Sequence, residues 1–128
     1  ELSWSCVHVH DETLDSTAYA IDGAGILLRR ADEPSRCQVA LTAGIGSMTV
    51  DIRKASTGNS QRRVEVVVNG EVKGQFTKTF ADGTDTTVET FAINNINISG
   101  NATVVIRMFG SNGNQHVTID NFKWTNYP

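Results

Sequence analysis

The chain is expected to fold as an all-β sandwich or barrel, and three observations lead there. Helical periodicity is absent almost throughout, short runs alternate apolar with polar residues, and Gly, Asn, Asp and Ser clusters punctuate those runs at short intervals. The expected strands run from Leu2 to Val9, Ala18 to Ile21, Gly25 to Arg30, Arg36 to Leu41 and Ser47 to Lys54. They continue from Arg63 to Asn69, Glu71 to Thr77, Thr87 to Ile93, Ala102 to Phe109 and His116 to Trp124.

The clearest hairpin joins Val64-Glu65-Val66-Val67-Val68 to Glu71-Val72-Lys73-Gly74-Gln75-Phe76, because Asn69-Gly70 supplies the positive φ values of a tight primed turn. In the strand before it, Met48, Val50 and Ile52 share one face and Thr49, Asp51 and Arg53 the other. Val104, Ile106 and Met108 alternate in the same way with Val105, Arg107 and Phe109. In the last strand Val117 and Ile119 face one core, and Phe122 and Trp124 regain that side only if the chain bulges at Asp120-Asn121.

With 128 residues and no repeat, low-complexity tract or Pro-rich linker, one domain over 1–128 is expected. A net charge of -3 with 20% charged residues offers no broad positive field for nucleic acid or an anionic membrane, so neutral partners are favoured. No run of about 18 apolar residues is present to span a bilayer as a helix. No basic segment followed by an apolar run stands at Glu1, so an excised or processed domain is expected. Cys6 and Cys37 are the only cysteines, either bridged in an oxidising compartment or buried as two small core thiols. Asn97-Ile98-Ser99 and Asn101-Ala102-Thr103 fit the glycosylation pattern.

His8 and His10 stand two apart ahead of Asp11 and Glu12, but further transition-metal ligands would have to come from His116 or Asp120 without a supporting pattern. No nucleophile elbow, phosphate loop or His-Glu-x-x-His helix is present, so no enzyme activity is expected. Asp51, Glu65 and Asp120 could pair as glycosidase acids, yet Arg53 and Arg107 among them favour ion pairing on a polar sheet face. Trp4 and Trp124 suit the core between terminal strands, while Trp124, Tyr127, Tyr19 and Phe109 also suit stacking on a sugar ring. Asp120 either caps backbone at the bulge or, with oxygens from Asp11, Glu12, Asp15 or Asp22, ligates calcium.

Gly23-Ala24-Gly25-Ile26-Leu27-Leu28-Arg29-Arg30, the run from Gly44 to Lys54, the Val-Asn-Gly hairpin, Ile96-Asn97-Ile98-Ser99-Gly100 and the run from Val117 to Trp124 together resemble a known group. They are similar to jelly-roll accessory domains of secreted bacterial hydrolases, which include carbohydrate-binding modules and domains beside extracellular nucleases. The likeness covers Gly23 to Trp124 and implies a jelly-roll β-sandwich of two mainly antiparallel sheets. It further implies a structural calcium on Asp120, and Asp11 and Glu12, among the acids able to supply oxygens to it, are the expected companion ligands. The expected function is a secreted, monomeric module that holds a parent catalytic domain on a plant or microbial polysaccharide such as a β-glucan, and from its charge no nucleic-acid or membrane partner is expected.

This chain lacks the usual pair of aromatic residues in one loop. The expected glycan contacts are therefore Asp51, Arg53, Glu65 and Arg107 as one polar platform, with Trp124 or Tyr127 stacking. The alternatives are a structural or protein-interaction sandwich flanking a secreted nuclease or other enzyme, and a small glycosidase or lyase.

Overall fold

The computed structural model of the protein describes residues 4–7, 9–11, 26–28, 35–55, 61–80, 83, 86–109 and 116–128; at 7, 9–11 and 27 it describes the backbone alone. The strand expected at Ala18 to Ile21 lies outside these residues, as do His8, Glu12, Asp15, Tyr19 and Asp22.

Ten strands form among the described residues: β1 (Ser5–Val7), β2 (Val9–Asp11), β3 (Ile26–Leu28), β4 (Arg36–Leu41), β5 (Met48–Lys54), β6 (Gln61–Val68), β7 (Glu71–Thr79), β8 (Val88–Ile93), β9 (Ala102–Met108) and β10 (Val117–Trp124). They make two five-stranded sheets, ordered β1-β4-β9-β6-β7 and β2-β3-β10-β5-β8, with every described pairing antiparallel. The single strand expected from Leu2 to Val9 is instead two short strands in different sheets. Sequence periodicity cannot register such a crossing, because both halves keep extended backbone.

Alternation decides which side of each strand enters the sandwich. Cys37, Val39 and Leu41 of β4, Val64, Val66 and Val68 of β6, and Val104, Ile106 and Met108 of β9 line the core from the first sheet. Met48, Val50 and Ile52 of β5, Phe91 and Ile93 of β8, and Val117 and Ile119 of β10 meet them from the second. Each such side chain, fully buried, stabilises the fold by about 1.5–3 kcal/mol before the entropy of ordering is subtracted.

The hairpin between β6 and β7 turns at Asn69 (φ 50) and Gly70 (φ 85), the left-handed pair that Asn-Gly favours. The expected bulge in β10 also forms. Asp120 pairs with Asp51 and Lys123 with Thr49, so Asn121 and Phe122 together oppose Val50 alone. Asn121 takes φ 55, its N–H donates to Asp120 Oδ1 at 2.8 Å, and its Nδ2 donates to Asp51 Oδ2 at 3.0 Å. The bulge turns Phe122 towards Trp124, stacked at 5.6 Å, and towards the edge of Trp4 at 5.2 Å. Cys6 and Cys37 face each other across β1 and β4 and are joined as a disulfide, which resolves the two readings of the cysteines.

Candidate functional site

At one end of the sandwich three segments converge: the turn from β4 to β5, the connection from β8 to β9, and the tail after β10. Ile45 and Ile98 exchange backbone hydrogen bonds at 2.9 Å in both directions. The Gly46 N–H donates to Thr125 O at 2.7 Å, and Gly46 O accepts from the N–H groups of Ile96 and Asn97. A Cβ at Gly46 would come within 2.7 Å of Thr125 Oγ1 and 2.9 Å of Asn126 O, so the close approach of the tail requires glycine there. Ser47 and Thr125 add a backbone-to-hydroxyl bond of 3.0 Å and a hydroxyl contact of 3.1 Å.

The β8–β9 connection, Asn94-Asn95-Ile96-Asn97-Ile98, is ordered by its own alternation. Ile96 and Ile98 pack against the core, which leaves Asn95 and Asn97 displayed outward. Both asparagines hold left-handed backbone, at φ 59 and φ 52, a conformation that Asn tolerates better than most residues.

Between this connection and the tail lies a cleft of about 540 Å³ whose walls include Asn94, Asn95, Asn97, Asn126, Ser47 and Thr125. Its described lining carries no charged residue. The four asparagine side chains are exposed, and among the described residues none of their carboxamides is tied to the fold by a hydrogen bond. Each offers two N–H donors and a carbonyl acceptor. Tyr127, 46% exposed, stands between the cleft residues Asn126 and Pro128, and its backbone N–H donates to Ala43 O at 3.3 Å.

The residues expected to form one polar platform are divided between the sheets. Asp51 and Arg53 lie on the outer face of β5 in the second sheet, whereas Glu65 and Arg107 lie on β6 and β9 in the first. The outer faces of two stacked sheets point away from each other, so a single four-residue platform does not form. Asp51 is occupied by Thr90 Oγ1 at 2.8 Å and Asn121 Nδ2 at 3.0 Å, and Arg53 is buried. Glu65 accepts from Arg107 Nε at 2.7 Å and from Gln75 Nε2 at 2.9 Å. Trp124 flanks the core against Phe122. Of the expected stacking pair, Tyr127 adjoins the cleft in sequence but is not among its lining residues.

Of the expected calcium ligands, Asp120 is fully described. Its Oδ1 accepts the Asn121 N–H, and its Oδ2 is buried with no hydrogen-bond partner. Asp11 is described as backbone in β2, and Glu12 lies outside the described residues. Among the described residues no group of three or more His, Cys, Asp or Glu is placed to hold a metal ion.

The architecture is a β-sandwich of two five-stranded antiparallel sheets, a fold it shares with solved carbohydrate-binding modules. The fold matches the module CBM36 in complex with calcium and xylotriose at a TM-score of 0.63 and 15% identity, over 97% of this chain and 93% of that one. It matches a CBM61 module in complex with β-1,4-galactotriose at 0.56 and 15%, over 98% and 88%. A family two carbohydrate esterase from Clostridium thermocellum in complex with cellohexaose matches at 0.56 and 14%, over 81% of this chain, which spans 29% of the esterase. The chain belongs to the delta endotoxin family (Endotoxin_C), whose model matches residues 11–124. No curated protein sequence matches it.

Proposed function

We propose that this domain, residues 1–128 as one unit, is a secreted, non-catalytic carbohydrate-binding module that holds a parent polysaccharide-degrading enzyme on a neutral glycan such as a β-glucan. The observation that carries this reading is the uncharged, asparagine-lined cleft, with exposed Tyr127 adjoining it in sequence. Sugar hydroxyls donate and accept at once, as carboxamides do, and a pyranose presents C–H groups to an aromatic face. The work of such a site is proximity: a weak interaction raises the enzyme's effective concentration at its substrate. The disulfide suits the oxidising compartment that secretion implies.

Affinity electrophoresis through gels containing soluble β-glucan, xylan or mannan tests the reading. Retardation on at least one gel is expected, and unchanged mobility on all three would sink it.

A structural calcium ion fits the orphaned Oδ2 of Asp120, with Asp11 and Glu12 as the companions the sequence suggests. Calcium at 100 times its Kd should then stabilise the fold by about 2.7 kcal/mol. A melting temperature raised by calcium, lowered by chelator, and insensitive to both in Asp120→Asn is expected. Indifference of the unmodified protein to calcium would remove the ion from the account.

The runner-up is a protein-interaction sandwich, favoured by exposed Val72 and Val88 on the sheet-edge strands β7 and β8.

A further inference from the structure

The outer face of the first sheet carries charge that the glycan reading leaves unused. Register places Arg36 of β4 directly opposite Arg107 of β9, Arg107 opposite Glu65 of β6, and Glu65 opposite Gln75 of β7. Arg63 lies two residues before Glu65 and therefore on the same face, diagonal to Arg107. Three guanidinium groups thus share a neighbourhood spanning two strand spacings, roughly 10 Å.

One carboxylate serves them. Glu65 is 6% exposed, and its two oxygens are taken by Arg107 and Gln75. Among the described residues no acid meets Arg36 or Arg63, and Arg63 Nε is buried without a hydrogen-bond partner. Like charges directly opposite across a strand pair are destabilising. Here they persist on a chain whose net charge is -3, so the cluster is a local exception to the overall balance. Exposed Gln38, Gln75, Thr77 and Thr103 extend the same face with uncharged hydrogen-bonding groups.

We infer that this face binds an acidic polysaccharide, with Arg36, Arg63 and the free edge of Arg107 receiving its anionic groups and the surrounding amides and hydroxyls its sugar hydroxyls. Planar guanidinium forks match carboxylates and sulfate esters two hydrogen bonds at a time. The site lies on a sheet face, separate from the loop-end cleft, and stands or falls independently of it.

The test measures binding of polygalacturonate, dextran sulfate and unmodified dextran by calorimetry at low salt and again in 0.5 M sodium chloride. The variants are Arg36→Gln and Arg63→Gln, singly and together, with Arg107 kept because it anchors Glu65. Binding of polygalacturonate assigns the site to uronate carboxylates, and binding of dextran sulfate alone assigns it to sulfate esters. In either case the double variant should weaken binding about tenfold or more, added salt should weaken it, and the melting temperature should hold. The neutral-glycan gel shift should be unchanged in the double variant. Failure to bind either polyanion, binding unaffected by the double substitution, or equal binding of a single-stranded oligonucleotide would overturn the proposal.

Discussion

The two ends of the sandwich use polar side chains in opposite ways. At the loop end Asn94, Asn95, Asn97 and Asn126 are uncharged, exposed and untied to the fold. At the far end two cations are sealed inside. Arg62, 0% exposed, donates from Nε to His116 O at 2.9 Å and from Nη2 to Ala55 O at 3.1 Å. Lys54, 1% exposed, donates to Gly83 O at 2.6 Å. Burial lowers the Arg62 pKa from its ordinary value, and the backbone carbonyls that receive its N–H groups offset part of that cost. Lys78 completes this end, paired with Glu89 at 3.1 Å and lying 5.4 Å from the Phe80 ring centre. Buried, engaged groups fasten segments together, whereas exposed, unengaged groups are available to a ligand.

The sharpest way to break that contrast is at Arg62. Arg62→Met should cost about 3–5 kcal/mol in urea denaturation, because it strands the His116 and Ala55 carbonyls inside. A cost below about 1 kcal/mol would mean that the far end is not fastened by its cations. Opening the Cys6–Cys37 bridge with Cys6→Ser should cost about 3–4 kcal/mol in the chain-entropy model. That loss should leave glycan retardation intact once the protein is folded, since neither cysteine lines the cleft. The smallest effect on stability belongs to the cleft. Asn95→Gly with Asn97→Gly keeps backbone that accepts positive φ and removes two carboxamides, so denaturation should shift by about 0.5 kcal/mol or less. The same pair should weaken glycan binding about tenfold.

Much of the frame is legible in the sequence because strand alternation is local. Arg36–Leu41 appears with the expected bounds, and β5, β9 and β10 each differ by one residue at one end. The bulge was legible because Phe122 and Trp124 are out of phase with Val117 and Ile119, and only an extra residue restores the phase. Alternation also shows that Asp51, Arg53, Glu65 and Arg107 leave the core. It does not say which sheet each joins, since sheet order depends on pairings far apart in the chain.

The cleft was missed for a related reason. Asn94 to Asn97 has the composition of a turn, and its Ile96 and Ile98 anchors were the signal that the connection is ordered and its asparagines displayed. Arg62, two before Val64, was already in phase with the core, but an arginine is ordinarily assigned to solvent.

Shift mapping by NMR tests the central contrast most directly, with soluble β-glucan titrated into labelled protein and xylan and mannan run in parallel. The account predicts that the side-chain and backbone amides of Asn94, Asn95, Asn97 and Asn126 move together with Tyr127, while Ala55, Gly83 and His116 stay still. Shifts confined to the Ala55, Gly83 and His116 end, or no shifts with any of the three glycans, would contradict it.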